Sequence, residues 1–99
     1  MAIKITKGSG NVFRDLGFSP QEAEHLRVRA ELMWQISKLI RRRKLTQAQA
    51  AKLFGVTQPR VSDVIRGRLH RFSIDALVGM LAHAGVPVHL SIGRTSHVA

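Results

Sequence analysis

The stretch Thr46–Gly67 constrains this chain more than any other. It reads TQAQAAKLFGVTQPRVSDVIRG: one short amphipathic segment that stops at Gly55 and a second that begins after Thr57 and stops at Gly67. Thr46-Gln47-Ala48-Gln49 has the spacing of a capping box, in which the threonine hydroxyl accepts from the amide three residues on and the glutamine returns a bond to the cap amide. Gly55 supplies the left-handed residue that helix ends favour. Thr57 is placed to cap the second helix, and Pro59 falls in its first turn, where a missing N–H is tolerated. The helical wheel turns Ala48, Ala51 and Leu53 or Phe54 inward on the first helix, and Val61, Val64 and Ile65 inward on the second. Val56 is the buried residue of the turn. Pro59, Ser62, Asp63 and Arg66 fall on the outward side, Thr57 and Gln58 project at the tip, and Arg60 lies on the flank. Two short helices joined by a Gly-containing turn form a helix-turn-helix, a unit whose second helix can enter the major groove of DNA.

The remaining residues read as support for this unit. Residues 1–10 are expected to be a flexible segment, although Ile3 and Ile5 alternate with Lys4 and Thr6 as a short strand would, before Gly8-Ser9-Gly10 break the pattern. Asn11 can cap one helical turn carrying Val12, Phe13 and Leu16, which Gly17 ends ahead of Phe18. Ser19-Pro20-Gln21-Glu22 is a strong helix start with proline at the first position. No breaker follows before Lys44, so a helix of about seven turns is predicted. Its second half carries Leu32, Ile36, Leu39 and Ile40, and its first half carries Ala23, Leu26, Ala30 and Met33 or Trp34 on a different stripe. Two stripes need two partners. One is the helix-turn-helix core; the other is either the chain's own Val12, Phe13, Leu16 and Phe18 or a second subunit. Arg68–Phe72 is a basic loop anchored by Leu69 and Phe72. Ser73 caps a last helix with Ile74, Leu77, Val78 and Leu81 inward, ended by Gly85. Val88–Ile92 alternates as a strand, which must pair with Ile3-Lys4-Ile5 or with its symmetry mate, because a lone strand is unstable. Residues 93–99 are expected to be a flexible tail, leaving one domain over 11–92.

Charge points to the partner. Lys and Arg number 16 against 6 Asp and Glu, a formal net charge of +10. Residues 38–71 hold Lys38, Arg41, Arg42, Arg43, Lys44, Lys52, Arg60, Arg66, Arg68 and Arg71, with Asp63 as the sole acid. A basic patch on one element is the footprint of a polyanion binder. The chain has no cysteine, which excludes disulfides and thiolate metal sites and suits a reducing cytoplasm, close to the nucleoid. Its apolar runs are too short to span a membrane, and the N-terminus lacks a secretory apolar region. His25, His70, His83, His89 and His97 are dispersed, so no metal or other cofactor is expected. No nucleophile motif or carboxylate pair suggests an enzyme. RNA stacking platforms are also missing, since there is no tyrosine and one tryptophan.

Leu45–Gln58, Val61–Gly67 and Leu77–Ala82 together resemble the Cro/repressor, or XRE-type, helix-turn-helix over about residues 32–86. The resemblance implies an all-α, lambda-repressor-like bundle of about five helices, with a long first main helix and a short C-terminal strand. The flanks Asn11–Phe18, Gln58–Asp63 and Phe72-Ser73 are similar to short XRE proteins, many of which are antitoxins of host-inhibition-of-growth type modules. Such a protein represses its own operon as a homodimer and binds a small ribosome-dependent, mRNA-cleaving ribonuclease toxin. A stand-alone or phage-type repressor without a toxin is the alternative.

Phosphate contacts set register and base contacts give sequence preference. Lys44, Thr46, Gln47, Thr57, Arg66, Arg68 and Arg71 are the expected phosphate contacts, and the family resemblance supports Gln47 in that role. Gln58, Arg60, Ser62 and Asp63 are the expected base contacts: Gln pairs with adenine, Arg with guanine, and Asp accepts from cytosine. Asp63 has the alternative of orienting Arg60 or Arg66, and Arg60 that of contacting phosphate. Some phage repressors carry glutamine where Pro59 stands, so this reader departs from their pattern. Phe13, Phe18, Leu26, Trp34, Val88, Leu90 and Ile92 are assigned to a partner or dimer surface.

Overall fold

The computed structural model describes residues 3–6 and 12–93. Strand β1 (Ile3–Thr6) is followed by helices α1 (Val12–Asp15), α2 (Pro20–Arg42), α3 (Gln47–Phe54) and α4 (Gln58–Ile65). A 3₁₀ turn (Leu69–Arg71), helix α5 (Ile74–His83) and strand β2 (Val88–Ser91) complete the chain. The expected all-α bundle of five helices with a short C-terminal strand is the fold observed.

Helices α2, α3 and α5 each begin where a side chain replaces a missing backbone partner. Ser19 accepts from the Glu22 amide at 3.2 Å, and Pro20 occupies the first turn of α2. Ser73 accepts from the Ala76 amide at 3.0 Å at the start of α5. The long helix stops at Arg42, two residues before the expected end. Lys44 turns left-handed at φ 52°, and the Leu45 amide donates back to the Ile40 carbonyl at 3.0 Å, which satisfies the helix end without glycine.

The core lies among α2, α3, α4 and α5. Leu32, Ile36, Leu39 and Ile40 of α2 meet Phe54, Val61, Val64, Leu77 and Leu81, with Phe72 and Val86 closing the edges. Each large side chain fully buried here contributes about 1.5–3 kcal/mol. The other half of α2 packs on α1 of its own chain, where Ala23 is buried and the Phe13 and Phe18 rings meet edge to face at 6.3 Å. Own-chain packing therefore serves the first stripe, although Val12, Leu16 and Phe18 remain exposed.

Several inward assignments change. Met33 is buried and Trp34 is half-exposed, with the Lys38 ammonium 4.8 Å from its ring centre. On α3 the inward residues are Ala50, Ala51 and Phe54, while Ala48 is exposed. Phe54 fixes the inward direction, and a residue six positions earlier points roughly 120° away from it. Ile65 is 46% exposed because it flanks the Val61–Val64 stripe. It lines an open groove of about 410 Å³ with Met33, Trp34 and Leu69.

The C-terminal strand is not solitary. β1 and β2 pair in parallel, Ile3 opposite Val88 and Ile5 opposite Leu90. This corrects the expectation of a flexible segment over 1–10 at residues 3–6; the rest of that segment, and the tail beyond residue 93, lie outside the described residues. Parallel strands require a crossover connection, and here the crossover contains every helix.

Candidate nucleic-acid interface

Thr46 and Thr57 stand at the N-caps of α3 and α4. At α3 the capping box is complete: Thr46 Oγ1 accepts from the Gln49 amide at 3.1 Å, and Gln49 Oε1 accepts from the Thr46 amide at 2.9 Å. At α4 the Thr57 backbone has cap geometry, but its hydroxyl makes no cap bond, contrary to expectation. The N2 residue is Pro59, which removes one of the two amides that a cap hydroxyl uses. Thr46, Gln47, Thr57, Gln58 and Pro59 are all exposed, as are Lys44 and Arg66. The two helix starts thus carry uncommitted amide side chains, Gln47 and Gln58, in the turn where helix N–H groups favour anions.

Gly55 joins the helices at φ +67°, and a Cβ placed there would come within 2.8 Å of the His83 ring. His83 Nδ1 donates to the Leu53 carbonyl at 2.9 Å, so the end of α5 clasps the turn from behind. No local sequence signal marks His83, because its partner lies 30 residues away.

The basic loop after α4 is an ordered 3₁₀ turn tied down on several sides. Arg29 of α2 donates from Nη1 to the Leu69 carbonyl at 3.2 Å and to the Phe72 carbonyl at 3.4 Å. Arg60 is half-buried, its guanidinium carbon 4.1 Å from the Phe72 ring centre, and its Nη1 donates to the Arg71 carbonyl at 3.0 Å. Sequence reasoning missed Arg29 and the Phe72 platform, since both act across the tertiary fold.

Asp63 departs most from its expected position. Its residue exposure is 8%, so it does not face outward. The loop folds back over that side of α4: the Arg68 amide donates to the Asp63 carbonyl at 3.0 Å. Arg68 Nη1 lies 3.4 Å from one carboxylate oxygen and Arg71 Nη1 3.5 Å from the other. The arginines that orient around Asp63 are therefore Arg68 and Arg71, in place of Arg60 and Arg66. Ser62 is half-buried.

The residues assigned to a partner surface separate. Val88 packs against the core, Leu26 and Phe13 are half-buried, and Phe18, Trp34, Leu90 and Ile92 are exposed, the last two at 77% and 88%. Among the described residues no helix is long and apolar enough to cross a membrane.

A family model described as a helix-turn-helix domain matches residues 12–93, nearly the whole of the described fold. No curated protein matches significantly. A solved structure named for the XRE family of transcriptional regulators is similar at 30% identity, with a TM-score of 0.69 over 79% of this chain and 90% of that one. The chain belongs to the XRE family of helix-turn-helix proteins and is a DNA-binding transcriptional regulator of that type.

Proposed function

We propose that this regulator is an autorepressor that binds its operator as a two-fold dimer and also neutralises a small mRNA-cleaving toxin. The observation that carries the operator reading is the exposed set Thr46, Gln47, Thr57 and Gln58 at the starts of two helices packed on each other, in a stretch that also holds Lys44 before α3 and Arg66, Arg68 and Arg71 after α4. In this reading Thr46, Gln47 and Thr57 hold phosphates with the four cations. Gln58 and Ser62 read base edges. Arg60, turned onto Phe72, takes the phosphate role on the flank. Asp63 is withdrawn from base reading because its carboxylate is buried between two arginines.

Dimerisation is supported by β2. Among the described residues it pairs on one side only, with β1, and Leu90 within it and Ile92 just after it are exposed apolar side chains. A second copy joined at that edge would present two readers to half-sites about 34 Å apart. The toxin-binding role is supported by the similarity of the Asn11–Phe18 flank to antitoxins and by the apolar surface at Leu16, Phe18 and Trp34.

Titration of a labelled operator duplex over a range of salt tests the first part. Neutralising roughly six to eight phosphates per dimer gives a slope of log K against log salt near −6. Gln58→Ala is expected to relax preference at one or two base pairs by about 1–3 kcal/mol each; unchanged preference would remove α4 from the groove. Co-expression with the product of the adjacent gene tests the second part: absence of a purified complex and of growth rescue eliminates the toxin role.

A further inference from the structure

We propose that Asp63 is a positioning residue that converts Arg68 and Arg71 from free surface charges into a fixed phosphate clamp, and so sets the margin between operator and non-specific DNA. The inference rests on the DNA-binding reading above and adds a role for an acid that base reading does not use.

A carboxylate in the last turn of α4 meets the negative end of the helix dipole. It is also removed from water, with 12% of its side chain exposed. Such a group needs partners. It receives two, one on each oxygen, and both come from the basic loop. The arginines keep outward faces, at 37% and 49% side-chain exposure. A guanidinium has five N–H donors in a rigid fork. Each arginine can therefore give one edge to Asp63 and another to a phosphate. The same loop is fixed from behind by Arg29 and from the side by Arg60, so its backbone is held at Leu69, Arg71 and Phe72.

Two opposite effects follow. Holding the arginines in place lowers the ordering cost of binding where phosphates lie in register with them. The negative charge also cancels part of the attraction that every DNA sequence would feel. Asp63 thus favours docking in register and disfavours loose electrostatic association.

The test compares the wild-type chain with Asp63→Asn on two probes: a duplex selected by the wild type from a random library, and a scrambled duplex of the same length and composition. Asp63→Asn is expected to bind the selected duplex about tenfold more weakly and the scrambled duplex as well as or better than wild type. Its salt slope on the scrambled duplex should steepen by roughly one for each added net positive charge. Arg68→Lys/Arg71→Lys keeps both charges and loses the fork, and should also weaken the selected duplex severalfold. That variant decides the matter if Asp63→Asn does not fold. A folded Asp63→Asn with wild-type affinity on both probes, or an Arg68→Lys/Arg71→Lys protein that binds like wild type, would overturn the proposal. Failure of the wild type to enrich any duplex would instead overturn the operator reading beneath it.

Discussion

The two helices of the motif have the same length and open with the same dipeptide, Thr-Gln, yet they finish their N-termini differently. Thr46 and Thr57 share the same extended backbone geometry, at φ −71° and −79°. Thr46 closes a reciprocal box with Gln49; the Thr57 hydroxyl makes no cap bond. The residues two and three positions on make the difference. Gln49 can reach back to the cap amide, whereas Pro59 has no amide to offer and Arg60 turns away onto Phe72. The Thr46 hydroxyl is engaged by the fold, with Gln47 exposed beside it, whereas at the second start the Thr57 hydroxyl is also left available to a ligand. That division suits α3 as the support and α4 as the reader.

The joint between the two gives the largest expected effect. Gly55→Ala forces a left-handed residue and displaces His83 from the Leu53 carbonyl. The cost should be about 2–3 kcal/mol, read from urea denaturation. A value near zero would mean that the turn tolerates another geometry. Thr46→Ala breaks the capping box and should cost about 1 kcal/mol. Lys44→Gly relieves the left-handed lysine and should raise stability by about 0.5–1 kcal/mol, while weakening DNA binding at every sequence; tighter binding would show that the charge at 44 plays no part. The smallest effect is the most diagnostic. Thr57→Ala should change stability by less than about 0.5 kcal/mol, because no cap bond is lost, yet reduce DNA affinity. Equal melting shifts for Thr46→Ala and Thr57→Ala would erase the contrast between the helices.

Features governed by near neighbours were legible in the sequence. Ser19-Pro20, Thr46 with Gln49, Gly55 and Ser73 act within one turn, and they placed α2, α3, α4 and α5 to within about two residues. Residues whose role depends on a distant segment were not legible. The wheel turned Asp63 outward because nothing in α4 reveals that Arg68 and Arg71 will fold back over it. The wheel places Arg60 on the flank of α4, and nothing local reveals that Phe72 will seat its guanidinium. Ala48 and Ala50 are chemically identical, so only the packing of Phe54 distinguishes which one is buried. The partner of β2 is open between β1 and a symmetry mate on sequence alone, since strand alternation defines faces but not neighbours.

The parallel ladder also has a consequence for the order of events in time. Its two strands lie at residues 3–6 and 88–91, so pairing waits until nearly the whole chain is available. The contacts of α3 with α4 join segments only a few residues apart. Local contacts form fast and distant ones slowly. The DNA-reading unit should therefore condense first on the later half of α2, with β1 added last as a seam across the chain. Pulse-labelled hydrogen exchange during refolding should find the amides of Val61 and Val64 protected before that of Leu90; simultaneous protection would make the strands part of the folding nucleus.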